Sequence, residues 1–333
     1  MDVMWRLLSR PGVGLVAVVA VALGAMLVLP SYATFQLTYV AIFAIAILGL
    51  NLLTGFNGQV SLGHGAFMAV GAYTTGILAG HLGWPLLLTI PLAGLVSGGL
   101  GLALGVPAVR LSGLYLALAT FALAVSVPTI VRKFGDITGG SRGILLPSII
   151  LPRDVDPSSI GLDSTDILYL LVLAIAVFLF WFASNLVRSG TGRALMAIRE
   201  GELAAASFGV NLSAYKALAF GLSAFYAGVA GSLLAIATTF IAPDGFAATL
   251  SISLLVGAVV GGLGSLWGPA LGGFLVVFLP IYAQQISQAA PSVAYGVILI
   301  LVVFLMPRGV SGLIGSGLGR LRLLTRRWAA RQP

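Results

Sequence analysis

Residues 55–73 read GFNGQVSLGHGAFMAVGAY. Gly55, Gly58, Gly63 and Gly65 stand close together, mixed with the polar Asn57, Gln59, Ser61 and His64. Apolar runs of about 20 residues, enough to cross a bilayer, lie on both sides. Glycine weakens helices, so the stretch reads as an interruption inside an otherwise lipid-soluble chain. Irregular backbone at membrane depth persists only where protein or a water-filled cavity satisfies it. The glycines would let the chain bend. Asn57, Gln59 and Ser61 would either bridge freed backbone groups or face a solute.

The surroundings fix that context. Of 333 residues, 59% are hydrophobic and 8% charged, with mean hydropathy +1.10. A soluble domain carries roughly 25% charged residues, so an integral membrane protein is expected. The absence of cysteine rules out disulfides, thiolate metal sites and a cysteine nucleophile. A net charge of +8 would suit nucleic acid, but the cations sit beside apolar runs as membrane anchors do. The expected partner is the lipid bilayer, with no nucleic acid. The apolar runs are continuous rather than alternating, which excludes a β-barrel.

About ten spans follow, all helical: 12–30, 35–54, 60–80, 86–107, 112–131, 167–186, 214–238, 248–264, 268–286 and 292–307. The first follows Arg6 and Arg10 and exceeds the roughly 7–15 apolar residues of a signal peptide, so it reads as an uncleaved span. With both termini cytoplasmic, thirteen of the seventeen lysines and arginines lie inside. Only Arg132, Lys133, Arg142 and Arg153 lie outside, all in loop 132–166. This bias follows the positive-inside rule. Segment 187–213 becomes a cytoplasmic loop with a short helix, in which Arg199 and Glu202 are placed to pair for roughly 0.2–0.5 kcal/mol. Residues 308–333 form a basic cytoplasmic tail, and the whole chain, 1–333, reads as one transmembrane domain.

Function is narrowed by absences. No predicted span contains a carboxylate, and His64 is the one ionisable side chain well inside a span, which speaks against proton coupling. Sodium coupling through carbonyls and hydroxyls stays open. Neither Lys133 nor Lys216 follows a glycine, so there is no Walker A loop. His64 and His81 have no accompanying carboxylate at metal-ligand spacing. The chain therefore reads as a non-enzymatic passive pathway, powered by a gradient or by a separate ATPase. A second glycine-rich interruption, GAVVGGLGSLWGPALGG (257–273), mirrors the first. Paired interruptions in two related halves point to discontinuous helices at a transport site. The candidates for lining the path are Asn57, Gly58, Gln59, Ser61, Gly63, His64, Gly261, Gly264 and Ser265.

Several ordered segments carry a resemblance: NLLTGFNGQVSLGHGAFMAVGAY (51–73), LSGLYLALATFALAVSVPTIV (111–131), ITGGSRGI (137–144), GRALMAIREGELAAASFGVNLSAYKALAFGLSAFYAGVAGSLLA (192–235), APDGF (242–246) and VVGGLGSLWGP (259–269). Over roughly 40–310 the chain resembles the LivM-type permease subunits of branched-chain amino-acid ABC importers. The resemblance implies an all-α, type II ABC-importer-like permease in a bacterial inner membrane. It would pair with a LivH-type second permease, two ATPase subunits that bind ATP and Mg, and a periplasmic binding protein, with no cofactor in this chain. Segment 187–213 would be the coupling loop, with Arg193, Arg199, Glu200, Glu202, Ala204, Ala205 and Gly209 facing the ATPase. The binding protein would dock at Thr138, Gly139, Gly140 and Arg142, with Asp154, Asp156 and the neighbouring aspartates meeting its basic residues. Leucine, isoleucine and valine are the expected substrates. Urea, short amides or aromatic acids are the alternative, and a stand-alone sodium-coupled carrier or channel is a more distant one.

Overall fold

The computed structural model describes residues 19–20, 22–26, 28–111, 113–147, 163–285, 287, 290–305 and 309–312. The first expected span and the basic tail fall largely outside these residues. Among the described residues, nine helices occupy the remaining expected spans and segment 187–213 adds two more, besides a single turn at Gly135–Thr138. They are α1 (Ser31–Leu50), α2 (His64–Thr75), α3 (Leu86–Ala108), α4 (Leu114–Lys133), α5 (Ser164–Arg188), α6 (Gly190–Glu200), α7 (Glu202–Ser207), α8 (Leu212–Thr238), α9 (Ala248–Gly261), α10 (Gly268–Ala283) and α11 (Ala290–Leu305). Wider π turns extend α1 through Asn51–Phe56 and α2 through Gly76–His81.

By length and apolarity, six helical stretches among the described residues qualify as membrane spans. These are Ser31–Phe56, Leu86–Ala108, Leu114–Lys133, Ser164–Arg188, Leu212–Thr238 and Pro243–Gly261, while Gly268–Ala283 and Val293–Val302 are shorter apolar helices. The third expected span starts at His64 rather than residue 60, because the glycine-rich stretch is not helical. The second half shows the same loss at 262–267.

Local chemistry sets the helix starts. Pro30 precedes α1 and Pro85 precedes α3, where a missing N–H costs nothing. Asn211 caps α8 by accepting a hydrogen bond from the Ala214 amide at 3.1 Å. Asp163 and Asp166 form a capping box on α5, with Ser31 Oγ donating to Asp163 at 3.2 Å.

Helix α8 is the centre of the bundle, buried along most of its length against α3, α2 and α1. Small residues let these backbones approach. Gly94, Gly101 and Gly105 of α3 face Phe225, Ala224 and Ala217 of α8, and Gly71 of α2 backs onto Gly228. The sequence pairs Gly257/Gly261 and Gly268/Gly272 face one another across α9 and α10. Helices in lipid gain their association from this close packing rather than from apolar burial. Exposed Leu87, Leu88 and Leu95 of α3 and Leu114, Leu118 and Val125 of α4 present apolar surface outward, as a lipid-facing wall does.

Candidate functional site

The first interruption is a tight, protein-satisfied loop. Gly58 takes φ +80, which favours glycine, and lets residues 57–63 leave the π turn. Gln59 N donates to Leu53 O at 3.1 Å, and Thr54 Oγ1 donates to Gln59 O at 3.0 Å. Asn57 Nδ2 donates to Gln59 Oε1 at 2.6 Å. Leu62 N donates to Thr120 Oγ1 at 2.9 Å, and Gly65 N to Ser251 Oγ at 2.9 Å. Gly63 backs onto Thr120, and its amide donates to Ser61 Oγ at 3.3 Å. His64 begins α2 with Nε2 3.3 Å from Ser223 Oγ. Among the described residues, the buried Asn57 Oδ1 and His64 Nδ1 have no hydrogen-bond partner.

The second interruption is held against the first by one side chain. Asn51, fully buried on the π turn, donates from Nδ2 to Ser265 O at 2.6 Å and accepts from Gly264 N at 2.8 Å. Gly264 has φ +78, again a conformation that favours glycine. Gly261 packs on Gly268 across the same turn. Arg199 joins the assembly from α6. Its Nη1 donates to Gly55 O, its Cγ lies under Gly58, and the guanidinium reaches the place a side chain at Gly264 would take. The two glycine interruptions and segment 187–213 therefore meet at one junction.

This junction corrects two expectations. Arg199 and Glu202 do not pair: the expected single helix breaks at Gly201, placing Arg199 at the end of α6 and Glu202 at the start of α7. Glu202 instead meets Lys216 of α8 at 2.6 Å. Lys216 is buried at 4% exposure and is not a solvated flanking charge. A cavity of about 170 Å³ lies beside this pair, lined by Asn57, Gln59, Leu116, Ile198, Arg199, Glu202 and Lys216 among others. Ser61, Gly63 and His64 do not line it. Elsewhere on the loop, Arg193 donates to Arg188 O at 3.2 Å. Glu200, Ala204 and Gly209 are exposed, while Ala205 is buried.

On the opposite loop, ITGGSRGI folds into a latch. Thr138 Oγ1 donates to Val131 O at 2.6 Å and accepts from Gly140 N at 3.3 Å. Ile144–Leu145 (β1) pairs antiparallel with Phe240–Ile241 (β2), in the register Ile144 to Ile241. Arg132 forms an ion pair with Asp244 of the APDGF stretch. Thr138 and Gly140 are buried, so of this motif Ile137, Ser141 and Arg142 stand exposed. Asp154 and Asp156 lie outside the described residues.

Asn51, Thr120, Ser251 and the exposed pair Leu203 and Phe208 belong to these sites without standing among the sequence candidates. Asn51 carried a signal: an amide inside an apolar run is costly in lipid unless it is partnered. Leu203 and Phe208, 87% and 89% exposed, carried one too, as large apolar residues in a charged, alanine-rich loop.

Comparison with known proteins agrees with this architecture. Residues 32–306 match the family described as branched-chain amino acid transport system, permease component. The high-affinity branched-chain amino acid transport system permease protein LivM of Salmonella typhimurium is 32% identical over 295 residues, 82% of this chain and 68% of the relative. LivM of Escherichia coli is 32% identical over 291 residues with the same shares. LivH of Escherichia coli is 28% identical over 287 residues, 81% of this chain and 91% of the relative. No solved structure matches the chain. A multi-pass bundle of apolar helices matched over most of its length by this family leaves one assignment: the chain belongs to the permease components of branched-chain amino acid transport systems.

Proposed function

We propose that this chain forms half of the translocation pathway of an ATP-driven importer for leucine, isoleucine and valine. A second, LivH-type permease supplies the other half. Two ATPase subunits bind ATP and Mg, and a periplasmic protein delivers the substrate. The chain spans a bacterial inner membrane with both termini cytoplasmic, as the distribution of its basic residues favours.

One observation carries the coupling role. Phe208 and Leu203 are the two most exposed large apolar side chains among the described residues, and both stand on the coupling loop. The opposite side of that loop is tied through Arg199 to Gly55. An ATPase groove that covers Leu203 and Phe208 grips the loop, and Arg199 passes its displacement to both glycine interruptions. Binding that differs between the ATPase's nucleotide states then shifts the pathway between outward and inward access. On the far side, Ser141 and Arg142 offer the exposed part of the latch to the binding protein. Substrate choice is assigned to that binding protein, and leucine, isoleucine and valine follow the named relatives.

Purification from native membranes tests the reading. An ATPase and a second permease should accompany the chain, and Leu203→Asp with Phe208→Asp should release the ATPase while retaining the permease. Transport by the purified chain alone would instead favour a carrier or channel.

A further inference from the structure

The 170 Å³ cavity at the junction is a built site rather than a packing gap. Its floor holds buried Asn57, Gln59 and Lys216, while its rim carries exposed Arg199 and Glu202. One wall is aliphatic, formed by Leu116 and Ile198, each 2% exposed. Glu202 and Lys216, both lining it, stand 2.6 Å apart. The volume lies below the roughly 300 Å³ of a drug-sized pocket. At about 30 Å³ per water it would hold several waters or one small metabolite.

The lining selects the ligand class. Two cations would repel a metal ion, while the adjacent Glu202 carboxylate opposes a multivalent anion such as phosphate. Urea would leave the aliphatic wall unused. A molecule with one carboxylate, one ammonium and a short apolar side chain uses every element. We propose that this cavity binds a free aliphatic α-amino acid, entering from the coupling-loop face. Lys216 and Arg199 donate to its carboxylate, Glu202 accepts from its ammonium, and Leu116 and Ile198 cover its side chain. The identity of that amino acid rests on the importer reading; the paired charges and the aliphatic wall do not. Because the ligand touches the first interruption, α4, α6 and α8 together, its occupancy biases the conformation of the junction, and imported amino acid acts back on its own transporter.

The test uses the complete importer in nanodiscs, without binding protein or nucleotide, with tritiated leucine as the probe. Saturable binding is expected, weakened at least about tenfold by Lys216→Met, which removes a carboxylate donor, or by Leu116→Trp, which fills the cavity. Phosphate and urea should not compete. Hydrogen exchange on the wild-type complex covers the case in which the variants fail to fold. Leucine should slow exchange in segments 57–59 and 198–202, and unchanged exchange means that the cavity holds only water and overturns the site. Absence of saturable leucine binding, or equal binding by both folded variants, overturns it as well. Uptake driven by the binding protein, measured on the same preparation, separates the two readings. Uptake without coupling-face binding sinks the site alone, and binding without uptake sinks the importer reading alone.

Discussion

Replacing Asn51 with leucine should loosen the second glycine interruption without disturbing the spans around it. Asn51 is fully buried and supplies one donor and one acceptor to the backbone of Gly264 and Ser265, at 2.8 and 2.6 Å. Leucine preserves the bulk but leaves one N–H and one C=O unpaired. Each orphaned group costs about 1–3 kcal/mol. Gly264 and Ser265 are only half-buried and recover part of this from water, so about 2–3 kcal/mol is the net expectation. That cost falls on local opening rather than on global unfolding. The Gly264 amide should therefore exchange about 30- to 150-fold faster, with little change at α8 amides. Asn51→Asp keeps the acceptor for Gly264 but turns a carboxylate oxygen onto the Ser265 carbonyl, so it should fare no better than leucine. Exchange of segment 262–267 that matches wild type in Asn51→Leu, together with normal uptake, would refute the clamp.

Three further outcomes follow from the same geometry. Arg199→Ala should uncouple hydrolysis from movement. A hydrogen bond to a charged group contributes about 1.5 kcal/mol or more, so uptake per ATP should fall roughly tenfold in proteoliposomes while ATPase association persists. The ion pair Lys216–Glu202 should respond asymmetrically, because Lys216 is buried and Glu202 is half-exposed. Glu202→Gln strands a buried cation and should cost about 1–3 kcal/mol after allowing for that exposure. Lys216→Met should cost less by thermal unfolding, and the reverse order would contradict the assignment. Thr138→Val removes the hydroxyl that ties the latch to Val131 and should speed amide exchange across 138–143, with β1 and β2 pairing weakened.

The spans were legible because continuous apolar runs leave the chain few choices in lipid, and the glycine stretch was legible because glycine is a poor helix former. What the interruptions touch was not. Asn51 lies 213 residues from Gly264 in sequence, and no local pattern announces that pairing. The break at Gly201 was missed because the surrounding alanines and leucines favour helix, whereas tertiary contacts send Arg199 and Glu202 to different partners. Lys216 was misjudged for the same reason: a lysine near a span end reads as an anchor, and only the fold reveals that it points inward to Glu202. Asp163 and Asp166, read as docking charges, are spent on capping α5. Six helical stretches among the described residues qualify as spans by length and apolarity; the first of the ten expected spans lies largely outside those residues, and the interruptions shorten the helices that begin at His64 and Gly268.

The most direct measurement is uptake of radiolabelled leucine into proteoliposomes that contain this chain, its partner permease, both ATPase subunits and the cognate binding protein. Uptake is expected to require ATP and every component, and to exceed that of urea or benzoate under the same conditions. Leucine uptake by this chain alone without ATP, or a complete complex that moves urea or benzoate but not leucine, would contradict the account.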